Sequence, residues 1–187
     1  MRKILISFLM VFITIFGFSQ IPYINVNPSF GLNNSDLKTS VAEQVSSSNG
    51  YKVGLAFEIG DKHFLEPGAY YISYSSIQTV GATTESLNFS TTQLQLYYGF
   101  KFMDLGLFKM KFHVGPTYEI IGKVETNNLN IKKSDFNNGK WGGNVGLGAQ
   151  VLFFTVFFDY NFGLSDSWVN SSIKQDVYTL SVGLSIL

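Results

Sequence analysis

The chain has 187 residues, of which 16% are aromatic and only 14% are charged, and it contains no Cys. About a quarter of the residues in a soluble domain are charged, so the composition is unusual for a soluble globule, and the lack of Cys excludes disulfides, thiolate metal sites and thiol nucleophiles. The 13 basic and 13 acidic residues balance, which gives no reason to expect nucleic acid as a partner.

The chain begins with a basic and then apolar segment. Arg2 and Lys3 precede the apolar run at residues 4–18, and residues 17–19 form a small-x-small cleavage context. This pattern predicts a cleaved signal peptide at residues 1–19 and a mature domain at residues 20–187. A membrane anchor is the alternative, although a spanning helix needs roughly 20 apolar residues. Cleavage would leave 11 basic residues against 13 acidic ones.

Period-2 alternation of apolar and polar residues runs through the rest of the chain, and this is the signal of β-strands. In chain order it predicts strands at residues 22–33, 50–60, 64–78, 91–103, 108–120, 140–152, 154–165 and 176–186. Tight turns follow the second, fourth and sixth strands. Longer polar loops are predicted at residues 34–49, 79–90, 123–139 and 166–175. Short turns at one end and longer loops at the other are typical of a transmembrane barrel.

The fifth strand shows the alternation most clearly. Its sequence FKMKFHVGPTYEI places Lys, Lys, His and Glu on one face and bulky apolar residues on the other. A soluble sandwich or lipocalin-like barrel turns its apolar face inward, whereas an outer-membrane barrel turns that face to lipid. The polar faces are rich in Gly, Asn, Gln, Ser and Thr, unlike the charged coat of a soluble sheet. We therefore predict an all-β fold, an eight-stranded antiparallel up-and-down transmembrane β-barrel with a polar lumen.

This assignment of faces predicts a network of polar side chains in the lumen. Equal numbers of acids and bases are expected there, because an unpaired buried ion is very costly. Glu58, Glu66, Lys101 and Lys109 are expected to cluster near the short turns, so Lys109→Leu is expected to destabilise the barrel by several kcal/mol. The predicted network consists of Lys52, Glu58, Glu66, Lys101, Lys109, Lys111, His113, Glu119 and Asp159.

The sequence offers few residues for catalysis or metal binding. His113 with Glu119 or Ser29 would suit a hydrolytic or acyl-transfer site acting on lipid, if the three groups lay within hydrogen-bond reach. The six residues between His113 and Glu119 correspond to roughly 20 Å along a strand, so we interpret His113 as a member of the polar network. Neither of the two histidines, His63 and His113, belongs to a metal-ligand spacing. We predict no catalytic residue, no metal and no cofactor.

Prolines and tryptophans occur at defined places in the pattern. Pro28, Pro67 and Pro116 fall on predicted strands, where each removes one ladder hydrogen bond, and they predict bulges or strand ends. Trp141 and Trp168 flank the long loops and are expected to belong to an aromatic girdle.

Four short motifs resemble a known family in their order and spacing. They are SFGLN at residues 29–33, FLEPG at 64–68, HVGP at 113–116 and FDYNFGL at 158–164. The mature chain looks like the small outer-membrane β-barrel domain family of Bacteroidota, the PorT-like group. It departs from that family at Asp159, where Arg is frequent, and at its C-terminus, which lacks a terminal aromatic residue. The resemblance implies an outer-membrane location and a barrel fold, and many members have no assigned biochemical role.

The strand number constrains function. The interior of an eight-stranded barrel is just wide enough for side chains to fill it, so no diffusive pore is expected. We expect a monomeric, non-enzymatic barrel that contacts outer-membrane lipids and acts as a structural or interaction module. It would be an accessory subunit of an envelope secretion or assembly complex; a lipid-modifying enzyme and a narrow pore are the alternatives. The short turns and termini are expected in the periplasm, and the long loops outside the cell.

Overall fold

The structure, a computed structural model, describes residues 23–38, 45–46, 48–80, 83–125, 132–167 and 174–186. Most of these residues form eight long strands, and a 3-10 turn occupies Lys133–Asp135. The strands are β1 (Ile24–Lys38), β2 (Ser48–Gly60), β3 (His63–Val80), β4 (Thr83–Asp104), β5 (Phe108–Val124), β6 (Gly139–Val151), β7 (Phe154–Gly163) and β8 (Lys174–Leu184). The short piece Val45–Ser46 pairs with β3. The predicted signal peptide and Trp168 lie outside the described residues.

The strands close into a barrel. Each strand pairs antiparallel with the next, and β8 returns to pair with β1 from Ser29↔Gly183 to Lys38↔Lys174. Closure removes the sheet edges and lets the backbone satisfy its own hydrogen bonds, which a structure in lipid requires. The prediction of an eight-stranded antiparallel up-and-down barrel is confirmed. None of the described residues belongs to a helix long and apolar enough to cross a membrane.

The inner face of the barrel carries buried polar and charged side chains beside an apolar cluster, and the outer face is apolar. In β5, Lys111, His113 and Thr117 are buried, whereas Phe112 and Val114 between them are exposed. The same alternation recurs along the other strands, so the exposed surface carries most of the large apolar side chains. This is the reverse of a soluble sheet and is the arrangement of a barrel whose outer surface meets lipid.

The two ends of the barrel differ. Short turns at residues 61–62, 105–107 and 152–153 lie at one end, called the short-turn end, and the long connections lie at the opposite long-loop end. The predicted loop at residues 79–90 is wrong, because β3 and β4 stay paired as far as Val80↔Thr83. Period-2 polarity is a signal of one buried face, and residues 79–90 lack it although their backbone pairing continues.

Aromatic pairs mark the height of the apolar band. Tyr118 and Trp141 lie with ring centroids 4.9 Å apart toward the long-loop end, and Phe153 and Phe154 lie 4.4 Å apart at the short-turn end. The ten residues from Phe108 to Tyr118 correspond to roughly 33 Å along a strand. A tilt of about 40° reduces this length to a height of roughly 25 Å, the usual height of the lipid-facing band.

The three strand prolines cause gaps in the ladder instead of bulges or strand ends. The β2–β3 pairing omits Pro67, and the β4–β5 pairing omits Pro116. The register is the same on both sides of each gap, so the strands keep their pairing although one N–H is missing. Pro28 interrupts the β1–β8 pairing in the same way. The register shifts recorded for β4–β5 lie elsewhere, between Phe89 and Thr91 and between Lys101 and Met103.

Candidate functional site

The candidate site is the filled lumen, whose polar side chains form three layers. The short-turn layer consists of Glu58, Lys101 and Lys111, the middle layer of Lys52, Glu66, Gln95, Tyr97, His113 and Asp159, and the upper layer of Glu119, Lys140 and Gln175. Each member is buried. The layers are ordered from the short-turn end to the long-loop end.

In the short-turn layer one carboxylate holds two ammonium groups. Lys101 Nζ lies 2.8 Å from Glu58 Oε1, and Lys111 Nζ lies 2.7 Å from Glu58 Oε2. The two lysines are directly opposed in the β4–β5 register, where like charges repel each other. Glu58 reaches between them from β2 and also accepts a hydrogen bond of 3.3 Å from Asn25 Nδ2. The carboxylate therefore neutralises a repulsion that the register creates.

Lys109 lies outside this layer, so the prediction that it clusters with Glu58 and Glu66 is wrong. The register shift after Lys101 sets Lys109 opposite Asp104. The Lys109 Nζ lies 3.3 Å from Asp104 Oδ2, and both side chains are partly exposed at the turn. An exposed ion pair contributes only about 0–1 kcal/mol, so Lys109→Leu is not expected to destabilise the barrel strongly. A large loss is expected instead when the buried pair of Glu58 and Lys111 is broken.

The middle layer is centred on His113 and Asp159. The His113 Nε2 lies 2.6 Å from Asp159 Oδ1. The imidazole lies between Tyr97 and Phe157, with centroid distances of 4.7 and 5.2 Å. Gly146 in β6 pairs with His113 of β5 on one side and with Asp159 of β7 on the other. A Cβ at Gly146 would collide with His113 Nε2 and Asp159 Oδ1. The glycine thus provides the space in which the pair forms.

Gln95 links the remaining ions of the middle layer. Lys52 Nζ lies 4.1 Å from the centroid of the Tyr70 ring and donates to Gln95 Oε1 at 3.4 Å. Gln95 Nε2 in turn donates to Glu66 Oε1 at 3.3 Å. Glu66 therefore lies in the middle layer. The prediction that it lies beside Lys101 near the short turns is wrong.

The upper layer is built around Glu119. Its carboxylate accepts hydrogen bonds from Tyr74 Oη at 3.2 Å and Gln93 Nε2 at 3.1 Å, and it lies 3.3 Å from Lys140 Nζ. Lys140 is absent from the predicted network, but it is the second residue of β6 and donates to Gln175 Oε1 at 2.9 Å. Among the described residues, the three layers then hold four lysines and four carboxylates. They are Lys52, Lys101, Lys111 and Lys140, and Glu58, Glu66, Glu119 and Asp159.

The hydrolytic site considered in the sequence analysis, His113 with Glu119 or Ser29, does not form in the structure. Glu119 belongs to the upper layer, and the carboxylate that contacts His113 is Asp159. Ser29 Oγ donates to Tyr70 Oη at 3.4 Å instead of contacting the imidazole. His113 is also only 2% exposed, so a lipid acyl group does not reach it. Among the described residues, no group of His, Asp and Glu side chains is arranged to hold a metal ion.

An apolar cluster that includes Phe136, called the plug, lies inside the barrel toward the long-loop end. Phe136, in the connection between β5 and β6, is 4% exposed and lies 5.3 Å from the Phe89 ring. Its neighbour Asn137 donates from its backbone N to Ser167 O at 3.1 Å and from Nδ2 to Asp166 O at 2.8 Å. These bonds tie the connection between β5 and β6 to the segment that follows β7. Sequence periodicity did not reveal the plug, since it lies in a predicted loop.

Gly99→Ala is expected to lower the free energy of unfolding by about 1–3 kcal/mol through overpacking. The buried Phe64 ring covers Gly99, and a Cβ there would overlap three ring atoms. Urea unfolding of the barrel in lipid vesicles measures the loss. Gly122→Ala is the control, because its Cβ would meet only Ser90, at 3.2 Å or more. Equal losses in the two variants would contradict tight packing of Phe64 against β4.

Comparisons with known proteins agree with this architecture. The profile of the family described as "Outer membrane protein beta-barrel domain" matches residues 19–185. No curated protein sequence matches the chain. The Neisserial surface protein A is 10% identical, with a TM-score of 0.57 over 86% of this chain and 97% of that one. OprG from Pseudomonas aeruginosa is 15% identical, with a TM-score of 0.53 over 87% and 95%. Ail of Yersinia pestis is 12% identical, with a TM-score of 0.52 over 87% and 99%. At these identities the likeness to solved structures concerns the fold alone.

Proposed function

The chain belongs to the outer membrane protein beta-barrel domain family, and from this premise we propose that it is a non-enzymatic structural or interaction module. The observation that supports the proposal is the filled lumen. Three polar layers and the Phe136 plug occupy the interior, and within the described part of the chain no substrate-sized cleft opens beside His113 and Asp159. The surfaces left for function are the lipid-facing wall and the two rims.

We also propose a more specific origin and orientation. The four motifs that resemble the PorT-like group support a Bacteroidota-type outer membrane as the location of the barrel. The short turns at one end, with the strand ends Ile24 and Leu184 beside them, support a periplasmic short-turn end. The long connections would then face the outside of the cell.

A partner in the envelope is the next part of the proposal. A barrel with a filled lumen acts through its wall or rims, and this supports a role as accessory subunit of a secretion or assembly complex. The test is gentle affinity purification of the tagged chain from outer membranes, with co-purifying proteins identified and counted against an unrelated barrel carrying the same tag. A stoichiometric partner specific to this chain is expected. Recovery of the chain alone would refute the accessory role and leave a free-standing monomer.

A lipid-modifying enzyme is the second candidate function. The observation in its favour is the His113–Asp159 contact of 2.6 Å, which resembles a base with its orienting acid. Our proposal predicts that outer-membrane lipids are unchanged when the gene is deleted, as measured by mass spectrometry of lipid A and phospholipids. Altered lipids that are restored by the original chain but not by His113→Ala would replace our proposal with the enzyme.

A further inference from the structure

A small chamber lies within the middle layer, against the seam between β1 and β8. Lys52, Glu66, Tyr97 and His113 line one side of it, and residues of β1, β7 and β8 line the other. The volume open to the centres of water molecules is about 20 Å³. One water needs roughly 10–15 Å³ by this measure, so the chamber has room for one or two waters and is too small for an organic ligand.

Several polar atoms facing the middle layer have no hydrogen-bond partner among the residues that the structure describes. They include Tyr97 Oη, His113 Nδ1 and Glu66 Oε2, and each of these three residues is at most 3% exposed. The amide of Asn27 and the hydroxyl of Thr155, which also line the chamber, lack partners as well. A buried polar group without a partner costs about 1–3 kcal/mol. Because carboxylate, hydroxyl, amide and imidazole groups are all present, the ligand must both donate and accept, as water does.

The wall of the chamber contains a second deficiency. The pairs Val26↔Ile186 and Ser29↔Gly183 place Pro28 opposite Leu184. Pro28 has no N–H, so the ladder supplies no donor to the Leu184 carbonyl. Leu184 lines the chamber although its side chain faces outward, which brings its backbone to the chamber wall. Inside a membrane, such a carbonyl needs a partner from the protein interior.

We propose that this chamber is a buried water site that completes the hydrogen bonding of the middle layer and of the Pro28 gap. One water bridges Tyr97 Oη, His113 Nδ1 and Glu66 Oε2, and a second bonds to the Leu184 carbonyl and the Asn27 amide. The site joins the first and last strands at the seam where the direct ladder is broken. This inference goes beyond the proposed function of the barrel and does not depend on that function.

A high-resolution crystal structure of the full chain purified from outer membranes tests the site directly. Density for one or two waters is expected, at about 2.6–3.2 Å from Tyr97 Oη and His113 Nδ1. An empty chamber, a non-water ligand, or side chains rotated into direct contact with each other would overturn the proposal.

Two proline variants separate the Leu184 water from the rest of the site. Pro28→Ala supplies an N–H to Leu184 and is expected to remove that water while leaving the one at Tyr97. Pro116→Ala is the matched control, because it repairs the gap opposite Leu96, which does not line the chamber. Both waters are expected to persist in the control, and persistence of the Leu184 water in Pro28→Ala would refute its role.

A hydroxyl deletion tests the other water independently of the seam. Tyr97→Phe removes one hydrogen-bond partner of the water that contacts His113 Nδ1. We expect this variant to show weaker magnetisation transfer from water to the His113 ring, as measured by NMR in detergent micelles. Unchanged transfer would overturn the assignment of that water.

Discussion

Glu58→Met is expected to lower the free energy of unfolding by about 3–5 kcal/mol, the usual effect of removing one partner from a buried ion pair. The substitution leaves Lys111, which is fully buried, with no carboxylate in contact among the described residues. It leaves Lys101 with only the exposed Asp61 at 4.0 Å. The two opposed ammonium groups would then repel each other without compensation. Urea unfolding in lipid vesicles measures the loss.

The matched control lies two residues from Lys111 on the same strand. Lys109→Met removes a lysine whose partner Asp104 is exposed, and a change of about 0–1 kcal/mol is expected. Replacement of all three charges by Met is expected to recover much of the loss, since buried ion groups are often no more stable than apolar ones of similar size. Similar losses for Glu58→Met and Lys109→Met would contradict the short-turn layer.

The fold was predictable because it depends on a local signal. Period-2 alternation determines which face of a strand is polar, and residue types then distinguish lipid from water outside. This is why the inward positions of Lys52, Lys111 and Asp159 follow from the sequence. The ends of β3 and β4 did not follow, since the alternation of polarity fades at residues 79–90 while the backbone pairing continues.

The pairing inside the lumen was less predictable because it depends on register between strands. A single shift after Lys101 sets Lys109 opposite Asp104 instead of Met103, and nothing in the alternation of β4 reports it. The His113–Asp159 contact needs β5, β6 and β7 in one register, with Gly146 between the two side chains. Lys140 shares the polar face of β6 with Asn144 and Gln150. That alternation could have indicated from the sequence that Lys140 points into the lumen. Phe136 had no such signal, because it lies in a connection without periodicity.

Phe136→Ala is expected to lower the free energy of unfolding by about 3 kcal/mol, the lower end of the range for a buried Phe. The ring is 4% exposed and packs on Phe89, which in turn lies 5.0 Å from Tyr74. Water entering at the mouth would fill part of the space, which moderates the cost. Phe153→Ala at the short-turn end is the control; its ring is 52% exposed, so a much smaller loss is expected. Equal losses would contradict a packed plug.

The same variant decides whether the plug alone keeps the barrel closed. Without Phe136 the upper layer still crosses the lumen through Glu119, Lys140 and Gln175, and the short-turn layer crosses it again. An eight-stranded interior has no width to spare around such layers. Planar bilayers containing the original chain, Phe136→Ala or Phe153→Ala are therefore expected to show no conductance steps. Steps that appear only with Phe136→Ala would mean that the polar layers are permeable and that the plug gates a narrow pore, so the proposed structural role would have to give way to a transport function.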